Sequence, residues 1–176
     1  MECLFLTGSA GTGKTLMLSE ALKIKLAKLK QRGADVKIFV TTYYDSDTEL
    51  LDKYRQHYLV NMKNIKFTSI NQLFRDLNSK YQYIEPQKTM TNVVRSLSDK
   101  YTDSRVILLC DEVHCGSHPT WDWRNMEICH NVIWCMAINP SSSGSGPFNM
   151  EIVFPTSDNV LSQQLNVKYR NCFQIR

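Results

Sequence analysis

The residues best suited to chemistry come first: GSAGTGKT, Gly8 to Thr15, carries the residue types that grip a phosphate. It satisfies the pattern G-x-x-x-x-G-K-[ST], with Gly8, Gly13, Lys14 and Thr15 in register. In such a loop the backbone N–H groups of Ser9, Ala10, Gly11, Thr12 and Gly13 converge on a nucleotide phosphate. Lys14 reaches the β and γ oxygens, and the Thr15 hydroxyl serves Mg²⁺. Glycine lets the backbone approach the phosphate without a Cβ in the way. A chance glycine-rich turn is the alternative, and the flanks argue against it: CLFLT precedes as a strand and TLMLSEALKIKL follows as a helix.

The second reactive group is acidic. VILLCDEVH sets Asp111 and Glu112 directly after an apolar run, where Asp111 would hold Mg²⁺ and Glu112 would polarise a water as general base. Two acids after a strand could also cap a turn, but the upstream phosphate loop favours the functional reading. His114, Cys115, His118, Cys129 and His130 raise the question of zinc, yet their spacing is irregular and no C-x-x-C pair occurs. Packing is the expectation for them. Trp121 and Trp123 could stack on bases, although covering the sheet is the better expectation.

These groups need elements to position them. Short apolar runs recur at 3–7, 36–41, 65–69, 105–110 and 131–138, in the manner of buried parallel strands. Helices are expected from Thr15 to a stop at Gly33, over TELLDKYRQHYLV capped at Asp47 or Thr48, and over NQLFRDLNSKY capped at Ser69 or Asn71. A further strand is expected at MEIVF and a further helix over SDNVLSQQLNVKYRN, while 139–147 reads as a flexible loop. The alternation predicts an α/β fold, a three-layer P-loop domain of RecA-like type with a mainly parallel central sheet. Its ligand would sit at the carboxyl ends of the strands.

Composition sets the outer bounds. The 176 residues suit a single domain, and 43% hydrophobic with 22% charged is an ordinary globular balance. A net charge of +4 suits phosphates without demanding them. No apolar run approaches a bilayer span and the start lacks a signal-peptide pattern, so an intracellular protein without membrane contact is expected. The six cysteines then read as thiols, with Cys3, Cys110 and Cys135 in apolar runs as core.

Taken together, these motifs resemble the superfamily 1 helicases and related helicase-like ATPases. GSAGTGKT resembles that family's first motif, and DEVH its Asp-Glu box. FVTTYYDSDTELLDKYR resembles its second motif at Thr42 and Tyr43, and FTSINQLFRDL the next, where single-stranded nucleic acid is contacted. QQLNVKYRNCFQI resembles the L-x-x-x-YR motif, which implies Arg170 as the arginine directed at the γ-phosphate. The resemblance implies ATP and Mg²⁺ as cofactors, single-stranded DNA or RNA as a partner, and catalytic roles for Lys14, Glu112 and Arg170.

The sequence also departs from that family. His114 stands where Gln is common, AINPSSSG replaces Gly-Asp-x-x-Gln, and Asp45 and Asp47 are acidic near an expected phosphate contact. A second RecA-like domain is absent from 1–176, so unwinding is not expected of this chain alone. The alternative expectation is a nucleotide-binding switch with little hydrolysis that works through protein partners. A small P-loop kinase is the weakest reading, since no arginine-rich lid is apparent.

Overall fold

The computed structural model describes residues 3–78, 86–114, 120–122, 129–139, 151–153 and 158–165. In chain order the elements are β1 (Cys3–Gly8), α1 (Lys14–Gln31), β2 (Val36–Thr42), α2 (Thr48–Lys53) and a π-helical turn (Tyr54–Tyr58). There follow β3 (Ile65–Ser69), α3 (Ile70–Leu77), α4 (Pro86–Lys100) and β4 (Arg105–His114). The last are β5 (Thr120–Asp122), β6 (Val132–Asn139), β7 (Glu151–Val153) and β8 (Val160–Leu165). Among the described residues six strands form one sheet in the order β3-β2-β4-β6-β1-β8, with every pairing parallel.

Side chains alternate across the pleat, so each strand feeds two cores. On one face Leu4, Leu6, Ile38, Val40, Ile107, Leu109, Ile133 and Cys135 pack with Leu18, Leu22, Leu26 and Leu29 of α1 and with Tyr54. On the other, Phe5, Phe39, Val106, Leu108, Trp134 and Met136 pack with Ile70, Leu73 and Phe74 of α3 and with Met90, Val93 and Leu97 of α4. Helices on both faces of a parallel sheet make three layers, the architecture expected from the sequence. Each buried leucine of α1 contributes about 1.5–3 kcal/mol by leaving water.

The turns and caps follow local chemistry. Gly33 ends α1 at φ 69, and its N–H donates to the Lys30 carbonyl. Ser69, one of the two expected caps, accepts from the N–H of Gln72 and starts α3.

Two expectations about elements change. The stretch expected as a helix over SDNVLSQQLNVKYRN instead contains β8, paired with β1 from Cys3–Val160 to Gly8–Leu165. The outer edge of β1 carries N–H and C=O groups that a helix could not satisfy, and a neighbouring strand satisfies them. In addition, α4 stands outside the expected helices, although Met90, Val93, Val94 and Leu97 recur at helical spacing. The expected MEIVF strand is β7, which pairs with β5 in a separate two-stranded parallel sheet.

Among the described residues no helix is long and apolar enough to cross a membrane. Residues 140–147 of the expected loop lie outside the described residues. Cys3, Cys110 and Cys135 are buried free thiols, as core packing requires. Burial pushes the Cys110 and Cys135 thiols up to about 12, which leaves them protonated and inert.

Candidate functional site

The Gly8–Thr15 loop links β1, all six residues of which are buried, to α1. Gly13 holds the left-handed conformation, φ 88 and ψ 12, and turns the chain into the helix without a side-chain cap. The helix therefore begins with N–H groups that a phosphate can accept, and its first turn carries no acid to oppose one. Lys14 is buried, and its ammonium donates to the carbonyls of Gly8 at 2.7 Å and Ser9 at 3.0 Å. The Thr12 hydroxyl donates to the same Ser9 carbonyl at 2.9 Å, which curls the loop around the lysine. Ala10 is exposed at the rim, with Gly11 half-buried beside it.

Gly8 is fixed by its surroundings. At φ +151, a Cβ there would lie 2.6 Å from the Leu165 carbonyl oxygen and 2.9 Å from the Thr12 hydroxyl. Glycine is therefore required for the approach of β8 as well as for the local backbone conformation.

The acidic pair arrives from β4, which is not a neighbour of β1, because β6 lies between them. Even so, the Thr15 hydroxyl donates to Asp111 Oδ2 at 2.7 Å, joining the start of α1 to the end of β4. The β4–β6 register shifts between Cys110 and Val113, and inside that bulge Glu112 takes φ 52. Bulges re-aim side chains in this way beside active sites. A non-glycine residue at positive φ is strained, and such strain clusters at functional positions. The carboxylate of Glu112 is half-buried, and Asn139 at the end of β6 donates to its Oε2 at 3.4 Å.

Asp111 is fully buried. Burial pushes its pKa above the usual carboxylate range, while the Thr15 and Tyr54 hydroxyls and the Glu112 N–H pull it back. The Tyr54 hydroxyl donates to Oδ2 at 2.7 Å and the Glu112 N–H to Oδ1 at 2.8 Å. Burial first, and then the Asp111 charge, raise the Tyr54 phenol well above its ordinary value. The hard oxygens of Thr15 and Asp111, side by side at a helix start, are a donor set that suits Mg²⁺. Of the residues that raised the question of zinc, Cys115 and His118 lie outside the described residues, and among the described residues no group of three or more His, Cys, Asp or Glu gathers around a possible metal ion.

The strand ends beyond the loop are tied together. Tyr43 is buried in the core, so of the two tyrosines only Tyr44, 42% exposed, presents a ring outward. Asp45 accepts from Ser69 and from Arg75, the latter at 2.8 Å, so its charge is compensated by a cation. Asn71 donates to the Tyr43 carbonyl at 3.3 Å, which adds a second tie between the β2 and β3 ends.

The structure thus brings together Gly8 through Thr15, Asp111 and Glu112. Arg170, Cys115, His118 and Trp123 lie outside the described residues. Tyr54 and Asn139 are additions that sequence reasoning missed. Asn139 carried a signal as the polar residue closing an apolar strand; Tyr54 carried none, since only the fold carries it to β4.

No protein-family model matches this sequence, and no curated protein matches it significantly. The class of the molecule is therefore defined by its fold, a three-layer α/β domain of RecA-like or Rossmann type with a six-stranded parallel sheet.

Proposed function

We propose that this domain binds ATP with Mg²⁺ at Gly8–Thr15 and hydrolyses it, as the first RecA-like half of a superfamily 1 helicase-like protein acting on single-stranded nucleic acid. The observation that carries the reading is the 2.7 Å hydrogen bond from Thr15 to Asp111, which unites a phosphate loop with an acidic strand end across an intervening strand. In this reading the backbone of Ser9 to Gly13 and the start of α1 bind the phosphates, and Lys14 moves its ammonium from the Gly8 and Ser9 carbonyls to the β and γ oxygens. Bound Mg²⁺ supplies charge neutralisation and orientation of the phosphates. Glu112 takes the proton of the attacking water, with Asn139 holding one of its oxygens. Arg170 stabilises charge on the transferred phosphoryl group.

Glu112→Gln tests the assignment. ATP binding is retained while turnover falls by about 10²- to 10⁴-fold, the usual worth of a positioned base. Unchanged turnover removes Glu112 from that role. Basal ATPase measured with and without single-stranded DNA or RNA tests the nucleic-acid part.

One observation favours a second reading, a nucleotide switch acting through protein partners. Arg75, a cation beside the β3 end, is already engaged by Asp45 rather than presented to a phosphate backbone. Tight ATP binding with negligible turnover, with or without nucleic acid, selects this reading.

A further inference from the structure

We propose that Tyr54 is a positioning residue for the magnesium-binding carboxylate, an assignment that rests on the ATP reading above. Its side chain is completely buried, and its hydroxyl donates to Asp111 Oδ2 at 2.7 Å. Thr15 donates to that same oxygen, and the Glu112 N–H holds Oδ1. Three donors thus orient both oxygens of one buried carboxylate, and Tyr54 is the one supplied from outside the phosphate loop and the acidic strand.

Packing alone does not account for the phenol. A phenylalanine would fill the same volume, and a buried hydroxyl costs stability unless it is bonded. The backbone around it is special as well. Tyr54 opens the π-helical turn, and the N–H of Leu59 donates to the Tyr54 carbonyl at 2.8 Å, a bond spanning five residues. Such wide turns are rare and concentrate at functional sites. The turn continues directly from α2, so the segment after β2 acquires a contact with the carboxylate through this single hydroxyl.

The test is a magnesium titration of fluorescent ATP binding to the full chain, in wild type and Tyr54→Phe, with a parallel measurement in EDTA. The affinity in EDTA is expected to match wild type, while the Mg²⁺ concentration at half-effect rises by about 10- to 100-fold, as for partners of metal ligands generally. A purely structural phenol leaves that midpoint unmoved. An equal or lower midpoint in Tyr54→Phe, with wild type binding normally, overturns this assignment alone. Wild type that binds no nucleotide in either condition overturns the ATP reading and this assignment with it. Should the variant not fold, 3-fluorotyrosine placed only at position 54 gives a second readout. Its ¹⁹F resonance is expected to move with Mg²⁺ and ATP but not with ATP in EDTA, and an unmoved resonance overturns the assignment.

Discussion

Gly8→Ala separates the two demands placed on the first glycine of the loop. Adopting φ +151 costs an L-residue about 1–3 kcal/mol. The new Cβ would also lie 2.6 Å from the Leu165 carbonyl oxygen, which is backbone and cannot swing aside. Overpacking of that kind costs a further 1–3 kcal/mol or about that, so the sum is about 2–6 kcal/mol. Domains of this size hold about 5–15 kcal/mol, so the loss removes a large share of the total. With a urea m-value of about 2 kcal/mol/M, the midpoint falls by about 1–3 M at unchanged slope. Urea unfolding followed by circular dichroism reads this directly, and fluorescent ATP binding is measured on the same samples. Lost nucleotide binding with an unchanged midpoint would refute the reasoning, because it would leave the phosphate as the only reason for glycine and remove β8 from the argument.

Two further outcomes follow from the same structure. Leu22→Ala empties a site with no exposed surface at the centre of α1, and a loss of about 2–5 kcal/mol in urea unfolding is expected; a neutral result would contradict the packing of α1 on the sheet. The Asp45 carboxyl is held below its ordinary value of 3.8, first by the Ser69 hydroxyl and then by Arg75. A lowered folded pKa contributes stability above the unfolded value and loses it as pH falls through the folded one. The stability gap between wild type and Asp45→Asn is therefore constant near neutrality and closes below pH 3.8. Because the pair is exposed, the gap is at most about 1 kcal/mol. A gap that widens on acidification contradicts the Ser69 and Arg75 contacts.

The sequence disclosed what depends on local pattern. Gly8, Gly13, Lys14 and Thr15 are legible because one turn needs them at fixed spacing, and β3 was legible because IKFTS is a short apolar run whose last residue, Ser69, caps the next helix. β8 was not legible, since VLSQQL has no strong period and becomes a strand only because β1 offers it an open edge. Tyr43 could not be told from Tyr44 by type; the bend that follows β2 buries one and exposes the other. Asp45 looked repulsive toward a phosphate chain until Arg75, 30 residues later, was found bonded to it. Tyr54 reaches Asp111 across 57 positions, a separation that no window along the chain can bridge.

Besides carrying Asn139 to Glu112, β6 acts as a ruler between the loop and Asp111. Strands lie about 4.8 Å apart, so placing β6 between β1 and β4 fixes the end of β1 and the acidic strand about 10 Å from each other. The Thr15 hydroxyl and the Asp111 carboxylate close that span at 2.7 Å only because one strand, neither none nor two, fills it. The calibration is held by the backbone ladders that join β6 to β1 on one side and to β4 on the other. A register shift in either ladder detunes the site while every residue of Gly8 to Thr15 keeps its identity.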